Sequence, residues 1–221
     1  MIGATHSVCQ DYVVAKNSYI ILSDGCSTSP DSDIGSRLLV KAAEQQIKTN
    51  PNPETLPEET ARLALAWAEA MHLPPQSVDA TLLTAFYKND ELLVSCSGDG
   101  VIVTETTAGR RDVYDISNPS GYPLYPSYLL QPDRLATMAI NGRSVKEVKH
   151  YSSAGPTRTH RCDSATHILR LTAKDYRFVA LMSDGVRSFY TTADKSVAPL
   201  DFSQVISELL SFKSWYGAFV A

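Results

Sequence analysis

The sequence predicts an α+β protein, with strands that neighbour one another along the chain and helices gathered apart from them. Three observations carry the prediction. Two short apolar runs, Tyr19 to Leu22 and Phe178 to Met182, lack a helical period, and each stops at Ser-Asp-Gly. Two amphipathic stretches of helical period lie together, Ile34 to Lys48 and Leu56 to Met71. From Asp79 onward the pattern changes to apolar runs parted by turns, with no alternation of strand and helix.

Taken in order, Tyr12 to Ala15 reads as a strand, and Lys16-Asn17-Ser18 as the hairpin turn into the Tyr19 run. Cys26 to Asp33 is a loop by composition. Asp31, Asp33 and Gly35 do not make a calcium loop, because Ala42 stands where its closing Glu belongs. Ser32 or Asp33 caps the first helix, whose stripe is Leu38, Leu39, Ala42, Ala43 and Ile47. Thr55-Leu-Pro-Glu58 reads as a capping box opening the second, with Leu63, Ala66, Trp67 and Ala70 on its apolar face. Ala80 to Tyr87 and Glu91 to Ser97 flank Lys88-Asn89-Asp90, a hairpin. Gly98-Asp99-Gly100 leads to a strand at Val101 to Thr106 and a turn at Gly109. Ser117 to Pro126 is a loop rich in proline and tyrosine, its tyrosines either packed or facing a substrate. Strands are expected at Thr137 to Asn141, Val145 to His150 and Thr166 to Thr172, with a polar, mobile stretch from Tyr151 to Asp163. A helix from Phe202 to Phe212 and an aromatic tail finish the chain.

The chain has 221 residues, 43% of them hydrophobic and 20% charged, enough for one domain with a real core. A net charge of −4 without a Lys/Arg run argues against nucleic acid as a partner. There is no basic leader with an apolar segment behind it and no run long enough to cross a bilayer, so a soluble, cytoplasmic protein with no membrane partner is expected. Cys9, Cys26, Cys96 and Cys162 form no Cys-x-x-Cys pair, which argues against zinc and favours reduced thiols. No cysteine has arginine six positions on, and P-loop, Gly-x-Ser-x-Gly and His-Glu-x-x-His motifs are all missing.

What remains is acidic. Asp24 and Asp184 each end an apolar run and each precede a glycine. On neighbouring strands they would offer two carboxylates and the Gly25 carbonyl, all hard oxygen ligands suited to Mg²⁺ or Mn²⁺. One Asp-Gly alone reads as a turn; the repeat favours a site.

The ordered set Gln10-Asp11, Ser23-Asp24-Gly25, Asp79-Ala80-Thr81-Leu82-Leu83, Gly98-Asp99-Gly100 and Ser183-Asp184-Gly185 resembles the metal-dependent protein phosphatases of the type 2C or PPM class. The opening Gly3-x-x-His6 followed by Cys9-Gln10-Asp11 is similar to their bacterial branch. The resemblance implies a four-layer α/β/β/α sandwich, two antiparallel sheets flanked by helices, as one phosphatase-like domain over residues 1–221. It implies two Mn²⁺ or Mg²⁺ ions, with Asp24 bridging them, the Gly25 carbonyl on one and Asp184 on the other. Asp11 and Asp99 support the site, so the catalytic set is Asp11, Asp24, Asp99 and Asp184. The substrate implied is a phosphoprotein, hydrolysed at phosphoserine or phosphothreonine by a metal-activated water.

Three positions depart from the pattern. His6 stands where relatives grip phosphate with arginine, and is the phosphate-binding candidate. Cys26 stands where relatives place a histidine that protonates the leaving group. No Asp-Asp or Asp-Asn follows Gly185, so the chain reads as truncated at its C-terminus. These departures favour a rival reading, a weakly active or inactive module that binds a phosphoprotein. A metal-independent domain whose Asp-Gly pairs are only turns is the second rival.

Overall fold

The Tyr19–Asp24 run forms β2, and Asp11–Lys16 forms its hairpin partner β1. The computed structural model describes residues 8–49, 51–141, 145–191, 198–199 and 201–211. The chain divides into two compact units after Ser183. In the first unit follow α1 (Ser32–Thr49), α2 (Leu56–Ala70), β3 (Leu82–Lys88), β4 (Glu91–Ser97), β5 (Gly100–Thr106), β6 (Arg111–Ser117), α3 (Pro132–Ile140), β7 (Lys146–Ser152), β8 (Gly155–Cys162), β9 (Thr166–Thr172) and β10 (Tyr176–Met182).

The strands make two antiparallel five-stranded sheets, ordered β1-β2-β3-β4-β9 and β10-β5-β6-β7-β8. The central strands β2, β3 and β4 are covered on both faces, and that is why they read as near-continuous apolar runs. On one face Tyr19, Ile21, Phe86 and Leu93 pack under Val40, Ala43 and Ile47 of α1. On the other, Leu22, Leu83, Val94 and Cys96 meet Ile102, Ile116 and Val148 of the second sheet. A further apolar cluster joins Leu39 and Ala42 of α1 to Ala64 and Ala68 of α2. Two facing antiparallel sheets with helices packed beside them make an α+β sandwich. The β3–β4 turn has Asn89 and Asp90 at φ of 51° and 66°, the left-handed pair of a two-residue hairpin loop.

The second unit holds a 3-10 turn at Asp184–Arg187, the strand pair β11 (Tyr190–Thr191) and β12 (Ala198–Pro199), and α4 (Phe202–Ser211). Val205 and Ile206 of α4 are buried, and α4 packs on the 3-10 turn. Among the described residues, no helix is long and apolar enough to cross a membrane.

The structure corrects five local expectations. Thr137 to Asn141 is no strand. It lies mostly in α3, where Pro132 opens the first turn and the Thr137 hydroxyl donates back to the Asp133 carbonyl at 2.8 Å. The polar stretch after Tyr151 is an ordered strand, β8; it sits at a sheet edge, where exposed polar side chains suit a strand with one free side. Strand β6 was hidden by Arg111, Asp112 and Asp115, charges that ion pairs and an outward face absorb. Thr55 makes no side-chain cap, and α2 buries Thr60, Ala61, Ala64 and Ala68 while Ala66 and Ala70 are exposed. Small residues let the two helices approach closely, so the bulky Trp67 flanks that contact half-buried. Lastly, β2 and β10, which lead to the repeated Ser-Asp-Gly, are not neighbours in one sheet; each belongs to a different sheet of the sandwich.

Candidate functional site

Asp11 and Asp24 are cross-strand partners at the open end of the β1–β2 hairpin. Asp24 turns its backbone toward β3: its N–H donates to the Thr81 hydroxyl at 3.0 Å, and its carbonyl accepts from the Thr81 N–H at 2.8 Å. The Asp11–Asp24 pair is therefore the kind without reciprocal backbone bonds, in which side chains lie closest, with Cα atoms about 4.5 Å apart. By strand alternation Asp24 shares a face with Leu22, the face that meets the second sheet. The hydroxyl of buried Ser23 points the other way and donates to the Thr81 carbonyl at 2.6 Å.

Gly25 continues the strand by one residue. Its N–H donates to the Gln10 carbonyl at 3.1 Å, and the Cys26 N–H donates to the Asp79 carbonyl at 2.9 Å. A Cβ on Gly25 would lie 2.5 Å from the Ser32 carbonyl oxygen at the start of α1. Glycine is needed here for close approach, not for an unusual φ. Gln10 secures the same corner, its side-chain amide donating to the Ser32 hydroxyl at 2.8 Å. Asp99 lies where the chain crosses from β4 in the first sheet to β5 in the second. Gly98, with φ of 89°, abuts Thr81, so the Asp99 turn rests beside the segment that holds Asp24.

Asp11, Asp24, Gly25 and the Asp99 turn are all brought to Thr81 or its immediate partners. Asp184 is exposed, opens the 3-10 turn of the second unit and is described there. His6 lies outside the described residues. Among the described residues, no group of three or more His, Cys, Asp or Glu side chains is gathered as a metal cluster. The donors present are oxygens, two carboxylates side by side with a backbone strand end, and that chemistry suits a hard divalent cation.

One wall of this corner was not foreseen. The segment between β6 and β7 carries a 3-10 helix, Pro126–Leu130, and then α3. Leu124, Tyr125, Tyr128 and Met138 form a buried cluster with Cys26 and Leu135 against it. Burial pushes the Cys26 thiol up, but hydrogen bonds with Thr28, Tyr125 and Ser29 outweigh it and leave the thiol below its ordinary range. Burial, helped by Cys26, drives the Tyr125 hydroxyl far above the usual tyrosine range. Arg134 of α3 grips the buried carboxylate of Asp79, Nη2 donating to Oδ2 at 2.6 Å. A carboxylate at the mouth of an otherwise apolar run, V-D-A-T-L-L, was the available signal for this contact.

The chain matches the sequence profile of the family described as Protein phosphatase 2C over residues 3–215. A comparison with curated protein sequences returns no match. Among solved structures, the serine/threonine phosphatase Stp1 from Staphylococcus aureus is similar at 10% identity and a TM-score of 0.50, covering 96% of this chain and 87% of that one. A structure described as a bacterial serine phosphatase matches at 10% identity and a TM-score of 0.51, with the same 96% and 87% coverage. The catalytic domain of the phosphatase PstP, solved with two manganese ions, matches at 14% identity and a TM-score of 0.47, covering 96% and 89%.

Proposed function

This chain belongs to the protein phosphatase 2C family, and from that premise we propose that it is a metal-dependent protein serine/threonine phosphatase acting on phosphoproteins. The observation that supports this best is the side-by-side placement of Asp11 and Asp24 at a strand end whose next residue must be glycine. Two carboxylates beside a backbone carbonyl at one strand end are hard oxygen donors of the kind a divalent cation takes. Asp24 and the Gly25 carbonyl are the proposed ligands, Asp184 the further carboxylate, and Mn²⁺ or Mg²⁺ the ions. When bound, such ions supply a water acidified to near neutral pH and neutralise phosphoryl oxygens.

The chain's own residues have separate tasks. Thr81 fixes the backbone of Asp24 from both sides, through its hydroxyl and its N–H, which limits where the carboxylate can swing. Asp11 and Asp99 add negative charge around Asp24, and His6 is the proposed phosphate contact. Cys26 has no nucleophilic role in this scheme. A second reading, a phosphoprotein-binding module with little turnover, is favoured by Cys26 itself: at the position of the expected leaving-group acid stands a thiol engaged with Thr28 and Tyr125.

The test is hydrolysis of p-nitrophenyl phosphate and of a phosphoserine peptide with Mn²⁺, with Mg²⁺ and with EDTA. Activity that needs the metal, is lost in Asp24→Asn and survives in Cys26→Ser is the expected result. Full activity in EDTA overturns the proposal. Tight phosphopeptide binding without turnover selects the second reading.

A further inference from the structure

Asp79 is 1% exposed, and its carboxylate draws three chain segments together. Oδ1 accepts from the Ser127 hydroxyl at 2.7 Å and from Arg134 Nη1 at 3.2 Å. Oδ2 accepts from Arg134 Nη2 at 2.6 Å, with the Ser29 hydroxyl at 3.5 Å. The guanidinium lies over the Tyr128 ring, 4.0 Å from its centroid, and Nη2 also donates to the Tyr128 hydroxyl at 3.0 Å. Tyr128 meets Tyr125 edge-on at 5.4 Å, Cys26 packs against the cluster that holds both rings, and the Cys26 N–H donates to the Asp79 carbonyl at 2.9 Å. These contacts form a closed ring. It begins and ends on Asp79 and passes through the residue after Gly25.

A buried ion pair is a weak source of net stability, since apolar side chains of similar size often serve as well. Its effect is on geometry, because a planar fork and a carboxylate fit in one register only. Here the register fixed is that of residues 118–140 against the β2 strand end. The tip ahead of the ring is exposed, Tyr122 being 49% so. A peptide that carries the phosphate is large enough to touch such a tip; a small aryl phosphate needs only the carboxylate corner.

We propose that Arg134 is a positioning residue: through its fork on Asp79 it seats the 118–140 segment as the wall against which a phosphorylated peptide docks beside Asp24 and Gly25. This inference rests on the phosphatase reading above for its substrate. It does not rest on it for the seating of the segment.

The experiment compares wild type with Arg134→Ala, Arg134→Lys and Asp79→Asn. Values of kcat and KM are measured in Mn²⁺ for a phosphoserine peptide and for p-nitrophenyl phosphate, and amide hydrogen exchange is followed over residues 118–140. In Arg134→Ala, KM for the peptide rises about tenfold, a loss of binding shared by ground and transition state. For p-nitrophenyl phosphate kcat/KM stays within about twofold, because the carboxylate corner is left intact. Exchange quickens in 118–140 and is unchanged in β3 and β4. Arg134→Lys keeps the charge without the fork and restores peptide KM only in part. Equal losses on both substrates overturn the proposal, as does unchanged peptide KM or unchanged exchange in 118–140. If wild type hydrolyses neither substrate, the phosphatase reading fails instead. Phosphopeptide affinity and exchange then decide the clamp alone, weakened binding with faster exchange supporting it and any other pairing overturning it.

Discussion

Replacing Gly25 by alanine adds a single methyl group in the worst available place. The new Cβ would stand 2.5 Å from the Ser32 carbonyl oxygen and 2.9 Å from its carbonyl carbon. Both are backbone atoms, at the first residue of α1, so no rotamer change relieves the contact. Ordinary carbon–oxygen contact needs roughly 0.8 Å more, and that shift must be taken by α1 or by the end of β2. The α1 side is pinned by Leu39, Val40, Ala42 and Ala43, all fully buried. The strand end gives way, straining the Gly25–Gln10 and Cys26–Asp79 backbone bonds. Overpacking of this kind costs about 1–3 kcal/mol, a sizeable part of a typical domain's stability. A displacement of this size at Asp24 would lower turnover by about a hundredfold while the fold survives. Urea unfolding and Mn²⁺-dependent hydrolysis, each on Gly25→Ala, read the two effects. Gly155→Ala is the control, since a Cβ there meets nothing within 4 Å. Stability and turnover both matching the control would refute the close-approach account of Gly25.

Other outcomes follow from single contacts. In Gly35→Ala the new Cβ would fall 1.6 Å from the Ser77 carbonyl oxygen, a worse overlap with backbone, so the melting temperature should drop further than in Gly25→Ala; an equal or smaller drop counts against the geometry. His167 lies between the sheets with Nε2 buried and unpartnered, and burial first, then His160 and Lys146, lower its pKa from 6.5 to about 4. Its folded pKa is depressed, so the unfolded chain binds more protons between those values and stability falls as pH drops through that window, by up to about 3 kcal/mol. His167→Leu should flatten the pH dependence of unfolding over that window, and an unchanged slope rules the account out. Thr81→Val removes the hydroxyl partner of the Asp24 N–H, costing about 1 kcal/mol and raising the Mn²⁺ concentration needed for activity; unchanged metal dependence would show that Thr81 does not hold the site.

Legibility in the sequence followed burial and alternation. Strands of the first sheet, whose central members are apolar on both faces, were readable within a residue or two, and so were α1 and α4. The strand end at Asp24 was readable too, and the glycine after it sits where a Cβ would meet the Ser32 carbonyl. In the second sheet β5, β7 and β10 were readable as well, but the charged central strand β6 and the edge strand β8 were not. β8 is exposed along nearly its whole length and carries no hydrophobic alternation to detect. The α3 error has the same root: Leu135 and Met138 are spaced for a helix, but Thr137 and Ile140 are β-branched and pulled the reading toward a strand. The carboxylate beside the apolar A-T-L-L run signals that Asp79 needs a partner, but Arg134 lies far along the chain and no local pattern names it.

The metal reading of the Asp24 corner can be tested without turnover. Asp11 and Asp24 are cross-strand partners, Asp24 half-buried and Asp11 exposed. A divalent cation that binds the folded chain there stabilises it by linkage, about 2.7 kcal/mol at a hundredfold excess over the dissociation constant. Asp24→Asn keeps the backbone donor and acceptor that Thr81 engages but removes the carboxylate charge, so the variant gains little from Mn²⁺ while wild type gains in full. A scanning melt of both proteins, in EDTA and in Mn²⁺, reads this even if neither hydrolyses anything. An undiminished gain in the variant would show that this strand end is held for its hydrogen bonds and not for a metal.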